Sequence, residues 1–342
     1  MAQSISKTVK TLRLTSFKET TIFKNDIPVP ISGPGEILVR LVASSFCHTD
    51  YMVYEGSFNT KLPFIGSHEP TGNISALGPD VKEDWKVGDK VGVYLFKNAC
   101  GDCAGCKWHV ATFGGKTSAR YCFNQTMHGI LGADGGFAEY MVTSDDAILH
   151  IPEEVPFDQS APLMCAGATV FHGLLEANLS PGHSVAIVGI GALGFLGVQF
   201  AKAMGCRVVA ISSRDLTNPL SRKPSSQTSL SRPKILPRHR RSSISQTALV
   251  SMLLSSAQTT SQIMTRSCTD SDSEFDAINI SFHEIVVKGS LHASVEAMEK
   301  MFLMVKEHGI RSQITTVKME EAENLPERAE KRRYKGNMIV MI

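Results

Sequence analysis

The segment Ser184–Ile211 constrains the fold of this chain more than any other part of it. An apolar run, a glycine-rich turn, an apolar stretch of helical length and a second apolar run follow one another there, which predicts a strand–helix–strand unit. Gly189, Gly191 and Gly194 give the turn a G-x-G-x-x-G pattern. Glycines permit a tight turn and a close backbone approach, and a helix N-terminus carries partial positive charge. The turn between two strands therefore favours a sheet that binds a pyrophosphate group.

The length and composition of the whole chain are typical of a folded globular protein. The 342 residues suffice for about two domains, and the first 160 are rich in strand patterns, such as Gly35–Ala43 and Lys86–Tyr94. Hydrophobic residues make up 42% and charged residues 20%, which excludes global disorder and a collagen-like fibre. The chain has no apolar run long enough for a membrane helix and no signal-like start, so we expect a cytoplasmic protein.

The distribution of charge argues against nucleic acid as a partner. The formal net charge is +2, but Ser221–Arg241 holds seven basic residues and no acidic one, which leaves −5 for the rest of the chain. A protein that binds nucleic acid needs a coherent basic face.

Four cysteines give the strongest local signal. Cys100, Cys103 and Cys106 follow one another at x2 spacing, and Cys122 comes after fifteen intervening residues. Four thiolates can close a tetrahedral zinc site without an open position, so such a site would be structural. The alternative is a set of unrelated loop cysteines.

Three further groups are weak signals when each is taken alone. They are Cys47–Asp50 (CHTD), Gly66–Glu69 (GSHE) and Cys165–Thr169 (CAGAT). A lone histidine is more often structural than functional, and Cys165 has apolar neighbours suited to a core thiol. Spacing alone does not connect the three groups.

The end of the second strand bears on which dinucleotide would bind. Where an acidic residue would hold the ribose hydroxyl of NAD, the chain has Ser212, Ser213 and Arg214. Small hydroxyls and a guanidinium suit a 2′-phosphate, which favours NADP(H). The alternative is a solvated strand end.

The stretch from about Asp215 to Glu274 lacks the alternating strand, helix and glycine-turn patterns of a nucleotide-binding sheet. It is dominated by Ser, Thr, Arg and Gln, and no glycine occurs from Cys206 to Lys288 although the chain has 27. Only Ala248–Leu254 is apolar enough for a buried element, and so short a run does not distinguish helix from strand. A shifted reading frame or a misplaced splice junction is one hypothesis. A disordered insertion that binds an acidic partner or receives phosphates is another, and the charge run can also be merely solvated.

Ordinary sequence patterns return at Phe275. They predict a strand at Ile285–Leu291, an amphipathic helix around Val295–His308 and a final strand at Asn337–Ile342.

Five motifs in this order resemble the zinc-dependent alcohol dehydrogenases of the medium-chain dehydrogenase/reductase family. They are CHTD, GSHEPTG, the cysteine triplet, MCAGATVFHG and VGIGALG. The resemblance covers Pro28–Arg214 and, more loosely, Phe282–Ile342. It implies a β-rich GroES-like zinc domain from residues 1–160 and 293–342, with a Rossmann-type nucleotide-binding domain from residues 161–292 between them.

The resemblance also assigns roles to single residues. It implies a catalytic zinc held by Cys47, His68 and Cys165, with a fourth position open for water or substrate. Thr49 matches the hydroxyl that starts the proton path, and Asp50 and Glu69 match carboxylates that orient His68 and tune the metal. His48 falls at the cofactor pyrophosphate and Thr169 near the nicotinamide.

Two departures from the family pattern affect this assignment. Many members have a relay histidine five residues after the first zinc cysteine, where this chain has Met52, so the proton would leave through Thr49 and solvent or through His48. The spacing before Cys122 is longer than usual. Insertion in a surface loop costs little closure entropy, so we retain Cys122 as the fourth ligand.

These observations predict an α/β oxidoreductase with two zinc ions. It would transfer a hydride between NADP(H) and an alcohol or carbonyl compound, without a nucleic-acid or membrane partner, as a homo-oligomer. The rival prediction is a catalytically silent, zinc-stabilised protein whose residues 215–274 fail to complete the cofactor domain.

Overall fold

The computed structural model describes residues 7–82, 85–212, 247–250, 289–331 and 334–342. These form two compact units. The first comprises Met1–Ala168 and His292–Ile342, and the second Thr169–Leu291.

Strands dominate the first unit. Its strands are β1 (Thr8–Leu14), β2 (Ile22–Pro28), β3 (Glu36–Phe46), β4 (Phe64–Ile65), β5 (Glu69–Leu77), β6 (Lys90–Val93), β7 (Phe96–Lys97), β8 (Thr126–His128), β9 (Gly132–Ala133), β10 (Tyr140–Ser144), β11 (Ile148–His150), β15 (Ile314–Lys318) and β16 (Asn337–Met341). The second unit has β12 (Ser184–Val188), β13 (Arg207–Ile211) and β14 (Thr247–Val250).

The described helices are shorter and fewer. They are α1 (His48–Tyr54), α2 (Ala104–Phe113), α3 (Phe157–Ser160), α4 (Ala166–Glu176), α5 (Ala192–Ala203), α6 (Val295–His308) and α7 (Leu325–Glu330). Short 3-10 helices cover Ala119–Tyr121, Ala161–Met164 and Met319–Glu321. In the part of the chain that the structure describes, no helix combines the length and apolar character that crossing a membrane requires.

A seven-stranded sheet forms the centre of the first unit. Its order is β11-β6-β5-β3-β16-β15, and β10 also pairs with β3. The predicted strand Gly35–Ala43 is confirmed and extends to Phe46. Side chains from five strands, including Val39, Ile74, Val91 and Met141, form one buried cluster on this sheet. Burial of this apolar surface is the main force that holds the strands together.

The C-terminal segment adds two strands, β15 and β16, to this sheet. The predicted final strand corresponds to β16, which pairs antiparallel with β3 and parallel with β15. The predicted helix Val295–His308 is confirmed at both ends. Ser294 Oγ accepts a hydrogen bond from Ala297 N at 3.3 Å, and Gly309 ends the helix in the left-handed conformation.

The second unit contains the strand–helix–strand segment at its predicted position. β12 lies between β13 and β14 and pairs parallel with both. The run Ala248–Leu254, which the sequence left undecided, begins within strand β14. Of a strand-like run at Ile285–Leu291, the structure describes only Gly289–Leu291, and these residues lie in no strand. The other expectations for 215–274 fall outside the described residues.

Candidate functional site

Four side chains of the first unit converge on one point. Donor atoms of Cys47, His68, Glu69 and Cys165 all lie within 4.8 Å of one another. His68 and Glu69 are buried, and the two cysteines are half-buried. We call these four residues the Cys/His cluster. Two thiols, an imidazole and a carboxylate are ligand types that zinc prefers.

The central sheet explains why these distant residues meet. β3 ends at Phe46, directly before Cys47, and β5 begins at Glu69, directly after His68. The two strands are antiparallel and Ser45 pairs with Glu69, so the end of one lies beside the start of the other. Cys165 follows the 3-10 helix Ala161–Met164.

Ser67, which the sequence analysis did not select, supports the turn before His68. Its φ of 73° is left-handed, a conformation that is uncommon for a residue other than glycine. Its buried hydroxyl donates to Ser45 O at 2.8 Å and lies 2.6 Å from Ser44 Oγ. These contacts stabilise the strained turn. No pattern in the neighbouring sequence predicts this turn.

Asp50 organises the cluster from behind. Its Oδ2 accepts from Cys47 N at 2.7 Å, and its Oδ1 accepts from Ser67 N at 3.1 Å and lies 3.0 Å from His68 Nδ1. Burial alone would lower the pKa of His68, but the Asp50 carboxylate and then Cys47 more than offset it and raise that pKa well above its ordinary value. The contact favours a proton on Nδ1 and turns Nε2 towards the cluster, where a bound metal would replace the Nε2 proton.

The unpaired atoms fit a bound cation. Among the described residues, His68 Nε2 and both carboxylate oxygens of Glu69 are buried without a hydrogen-bond partner. Such groups are costly unless a ligand satisfies them. Glu69 makes no hydrogen bond to His68 here, and its implied role of orienting His68 and tuning the metal stays a prediction. Burial, followed by the charge of Cys47, raises the pKa of Glu69 well above its usual value.

The two thiols of the Cys/His cluster interact directly. Hydrogen bonding with Cys165 holds the pKa of Cys47 well below its ordinary value, and the same contact raises the pKa of Cys165. Metal binding requires both thiols as thiolates, so it would release a proton from this pair.

Other predicted residues lie on the adjacent helix α1. Thr49 Oγ1 is 4.0 Å from Cys47 Sγ. His48 is exposed and stacks on Tyr51, with ring centroids 5.8 Å apart. Met52, at the position of the family's relay histidine, is half-buried in the same helix.

The other four cysteines form a second group, here called the four-cysteine cluster. The sulfurs of Cys100, Cys103, Cys106 and Cys122 lie within 4.8 Å of one another. Cys103 Sγ accepts from the backbone N–H groups of Phe123 and Cys106, both at 3.4 Å, and these bonds lower the pKa of Cys103 to about 6. Backbone amides thus favour the thiolate form that binds metal.

Helix α2 accounts for the long spacing before Cys122. The intervening residues form this helix, a turn at Gly114 and Gly115 with φ of 71° and 74°, and a 3-10 helix that ends at Tyr121. Tyr121 packs on α2 through Trp108, at a ring distance of 5.2 Å, and through His109, at 5.0 Å. The extra residues therefore form ordered structure.

In the second unit, the glycine turn has backbone geometry that only glycine fits easily. Gly189 has a φ of 87°, and a Cβ on Gly194 would lie 2.0 Å from Gly189 O. A Cβ on Gly191 would meet no atom of the described residues within 4 Å. Thr169 is half-buried on α4, and Ser212 follows β13. Ser213 and Arg214 lie outside the described residues.

Comparison with known proteins gives the family of one part of the chain. Residues 33–153 match the alcohol dehydrogenase GroES-like domain. Alcohol dehydrogenase 1 of Emericella nidulans is 40% identical over 192 residues, which cover 55% of this chain and 52% of that protein. An alcohol dehydrogenase of Geobacillus stearothermophilus is also 40% identical over 192 residues, covering 56% and 54%. The chain thus spans about half the length of the curated relatives it matches.

Solved structures extend the comparison to the fold. Acetophenone reductase from Geotrichum candidum, in complex with NAD, has a TM-score of 0.74 at 22% identity and covers 99% of both chains. The alcohol dehydrogenase of Aeropyrum pernix has a TM-score of 0.74 at 22% identity, covering 97% of this chain and all of the other. At this identity, the structures establish the fold.

The matches confirm the predicted resemblance and the α/β fold class with a GroES-like domain. We conclude that the chain has the fold seen in these alcohol dehydrogenase and reductase structures and that its residues 33–153 form an alcohol dehydrogenase GroES-like domain.

Proposed function

We propose that this protein is a zinc-dependent alcohol dehydrogenase, or aldehyde reductase, which transfers a hydride between NADP(H) and an alcohol–carbonyl pair. The observation that carries the proposal is the convergence of Cys47, His68 and Cys165, with His68 Nε2 buried and without a partner among the described residues. Half-buried thiols leave one side of the cluster accessible, as a site with an open fourth position requires.

Zinc, when bound, supplies a Lewis acid for the interconversion of alcohol and carbonyl, and the nicotinamide supplies or accepts the hydride. The chain's own residues hold the zinc ligands in place and move the proton. Asp50 retains the proton on His68 Nδ1 and fixes the imidazole ring. Thr49 Oγ1, on the helix that begins beside Cys47, exchanges a proton with the substrate oxygen. Solvent or exposed His48 would then take up that proton, because the thioether of Met52 cannot transfer one.

The glycine turn of the second unit supports the choice of a dinucleotide cofactor. Gly189, Gly191 and Gly194 leave space for a pyrophosphate at the start of α5. Thr169 contacts the nicotinamide in this proposal, and His48 the pyrophosphate. Preference for NADP(H) rests on the sequence Ser212-Ser213-Arg214 and implies reduction of the carbonyl in the cell.

The four-cysteine cluster would hold a second, structural zinc. Its sulfurs are arranged around one point and receive backbone N–H bonds, which suits a closed tetrahedral site. We further propose that the first compact unit is the catalytic domain and the second the nucleotide domain. Their boundaries at Ala168 and His292 place Cys165 in the catalytic domain, whereas the predicted division was residues 1–160 with 293–342 and residues 161–292. The partner would be a small alcohol or aldehyde, and the active form a dimer or tetramer.

A second candidate is a catalytically silent protein stabilised by zinc. The absence of glycine from Cys206 to Lys288 favours it, because the turns of a nucleotide-binding sheet usually need residues that tolerate positive φ. In this case the first unit would bind metal, but the second would not bind a dinucleotide.

One titration separates the two candidates. The full-length, zinc-loaded protein is titrated with NADPH and separately with NADH, nicotinamide fluorescence is followed, and the zinc content is measured in parallel. The proposal predicts two zinc ions per chain and saturable binding that is tighter for NADPH. Preference for NADH would remove only the choice of cofactor, whereas no binding of either by the folded protein would establish the silent candidate.

A further inference from the structure

A buried histidine outside the predicted site contacts the backbone beside Cys165. His292 is 2% exposed, and its Nε2 lies 2.7 Å from Met164 O. Met164 ends the 3-10 helix that precedes Cys165, and the carbonyls in the last turn of a helix lack partners within the helix. The carbon of this carbonyl is bonded to Cys165 N. A hydrogen bond to Met164 O therefore restrains the peptide plane from which Cys165 projects.

The surroundings of His292 fix its tautomer. Its Nδ1 lies 3.0 Å from Ala293 O, which already accepts a hydrogen bond from Tyr94 Oη at 2.8 Å. Burial lowers the pKa of His292 to about 4, so the ring is neutral at pH 7 and has one N–H. The shorter contact and the otherwise satisfied carbonyl place that N–H on Nε2, which donates to Met164 O. The rings of Tyr94 and Phe96 pack against the imidazole at 5.5 and 5.9 Å.

The backbone of His292 is held in turn by the loop of the four-cysteine cluster. Arg120 Nη1 donates to His292 O at 2.6 Å, and Arg120 is 9% exposed. Arg120 precedes Cys122 by two residues and also donates through Nη2 to Tyr121 Oη. One continuous set of hydrogen bonds thus joins the Cys122 loop, His292 and the peptide before Cys165.

We propose that His292 is a positioning residue for the Cys/His cluster: it holds the Met164–Cys165 peptide, and Arg120 holds His292. The proposal rests on the function proposed above, since it assumes that this cluster binds zinc. It also gives the four-cysteine loop a role beyond local stability. A displacement of Arg120 in that loop would shift His292, and His292 would in turn shift the peptide that carries Cys165. Neighbouring groups that support metal ligands typically change metal affinity 10–100-fold when they are removed.

Cobalt binding tests the proposal without recourse to activity. The full-length protein is freed of metal and titrated with Co²⁺ against a competing chelator, and the visible absorption of thiolate-bound cobalt is recorded. Two substitutions are compared: His292→Leu removes the donor, and His292→Gln retains an N–H that reaches Met164 O. We expect His292→Leu to weaken Co²⁺ binding at the Cys/His cluster at least about tenfold and to shift its absorption bands. We expect His292→Gln to recover most of the affinity.

The four-cysteine cluster serves as an internal standard, because it should bind Co²⁺ with unchanged affinity in both His292 variants. His128→Leu is the matched control, since it removes another imidazole from the interior, one bonded to Thr143 Oγ1 at 3.0 Å. It should lower stability and leave the cobalt spectrum of the Cys/His cluster unchanged. Equal affinity of His292→Leu and the unmodified protein, or equal weakening of both clusters, would overturn the inference. A folded, unmodified protein that binds Co²⁺ only at the four-cysteine cluster would instead overturn the proposed function and remove the site that His292 is proposed to position.

Discussion

Asp50 shows how much of the candidate site depends on one side chain. A single carboxylate receives the N–H of Cys47, the N–H of Ser67 and the imidazole of His68. Its burial raises its own pKa, and the charge of His68 partly counteracts that effect. The carboxylate thus restrains two residues of the Cys/His cluster at once.

Replacement of this carboxylate by an amide should therefore weaken metal binding. In Asp50→Asn the amide nitrogen cannot accept a hydrogen bond, so one of the three donors loses its acceptor. We expect zinc affinity at the Cys/His cluster to fall 10–100-fold, measured by chelator competition, with the four-cysteine cluster unaffected. Asp134→Asn is the control, because Asp134 is a partly buried carboxylate that accepts from Ile65 N at 2.9 Å. Unchanged zinc affinity in Asp50→Asn would contradict the orienting role.

Buried His128 should make stability depend on pH. Burial, and then the charge of Lys97, lowers its pKa to about 3, against about 6.5 in an unfolded chain. The unfolded state therefore binds a proton that the folded state excludes. This contribution to stability is present above pH ~6.5 and is lost as the pH falls towards 3, with a slope of at most about 1.4 kcal/mol per pH unit.

Urea unfolding at a series of pH values measures this slope. His128→Gln should unfold with a shallower dependence between pH 6.5 and 4 than the unmodified protein. Thr143→Val removes the hydroxyl partner of His128 but keeps the buried imidazole, so the slope should remain. Identical slopes for His128→Gln and the unmodified protein would show that another group is responsible.

Site residues were predictable from the sequence only where they belonged to a recognisable motif. Cys47, His68 and Cys165 are far apart along the chain, and only the order of the motifs connected them. Ser67 and His292 were missed because their roles arise from a left-handed turn and from a contact across 128 residues. Neither leaves a periodic or spaced pattern in the sequence.

Helices and strands were predictable where periodicity was long and caps were present. Helix α6 has a serine N-cap and a glycine C-cap, and its predicted ends agree with the structure. Helix α1 was not predicted, because its first residues carry the chemistry of the site and Cys47 occupies the cap position. Strand β14 was undecidable since its pairing with β12 is a tertiary contact.

The glycine turn before α5 allows two substitutions with different consequences. An alanine at Gly191 meets no atom of the residues that the structure describes, and the φ of −93° is permitted, so Gly191→Ala should change stability by less than about 1 kcal/mol. Its methyl group would occupy the space proposed for the pyrophosphate, and we expect NADPH affinity to fall at least about tenfold. Fluorescence titration and thermal unfolding measure the two effects.

Gly194→Ala is the comparison. Its Cβ would lie 2.0 Å from Gly189 O, so the turn must shift, and we expect destabilisation of about 1–3 kcal/mol. Loss of stability in Gly191→Ala, or unchanged NADPH binding in the folded variant, would argue against a pyrophosphate at this turn.

The α2 loop gives a test of the fourth structural ligand. Cys122 Sγ accepts from the N–H groups of Cys100 and Asn124, both at 3.3 Å, at the end of the long spacing. Cys122→Ser should reduce the zinc content by about one ion per chain and lower the unfolding temperature, because structural zinc contributes directly to folding. Cys206→Ser, in the second unit, should retain the full zinc content. Unchanged zinc content in Cys122→Ser would remove this residue from the ligand set.

For the chain as a whole, most of the sequence patterns that predict structure or metal binding lie in the first unit. Its sheet, its two cysteine groups and its C-terminal strand follow from patterns that are complete within residues 7–168 and 292–342. In the second unit, the strand–helix–strand segment was predictable, whereas residues 215–274 offered no glycine turns or long periodic runs. The curated relatives likewise match over about half of their own length.

The most direct test of the central claim is the rate of aldehyde-dependent NADPH oxidation by the full-length protein, followed by the absorbance of the reduced nicotinamide. We expect turnover with at least one of a series of aldehydes when both cysteine clusters contain zinc. In Cys47→Ser, zinc at the four-cysteine cluster should remain and turnover should fall about a hundredfold or more, because metal polarisation contributes several kcal/mol to such a reaction. Absence of turnover in a folded protein with two zinc ions, or undiminished turnover in Cys47→Ser, would contradict the proposed dehydrogenase.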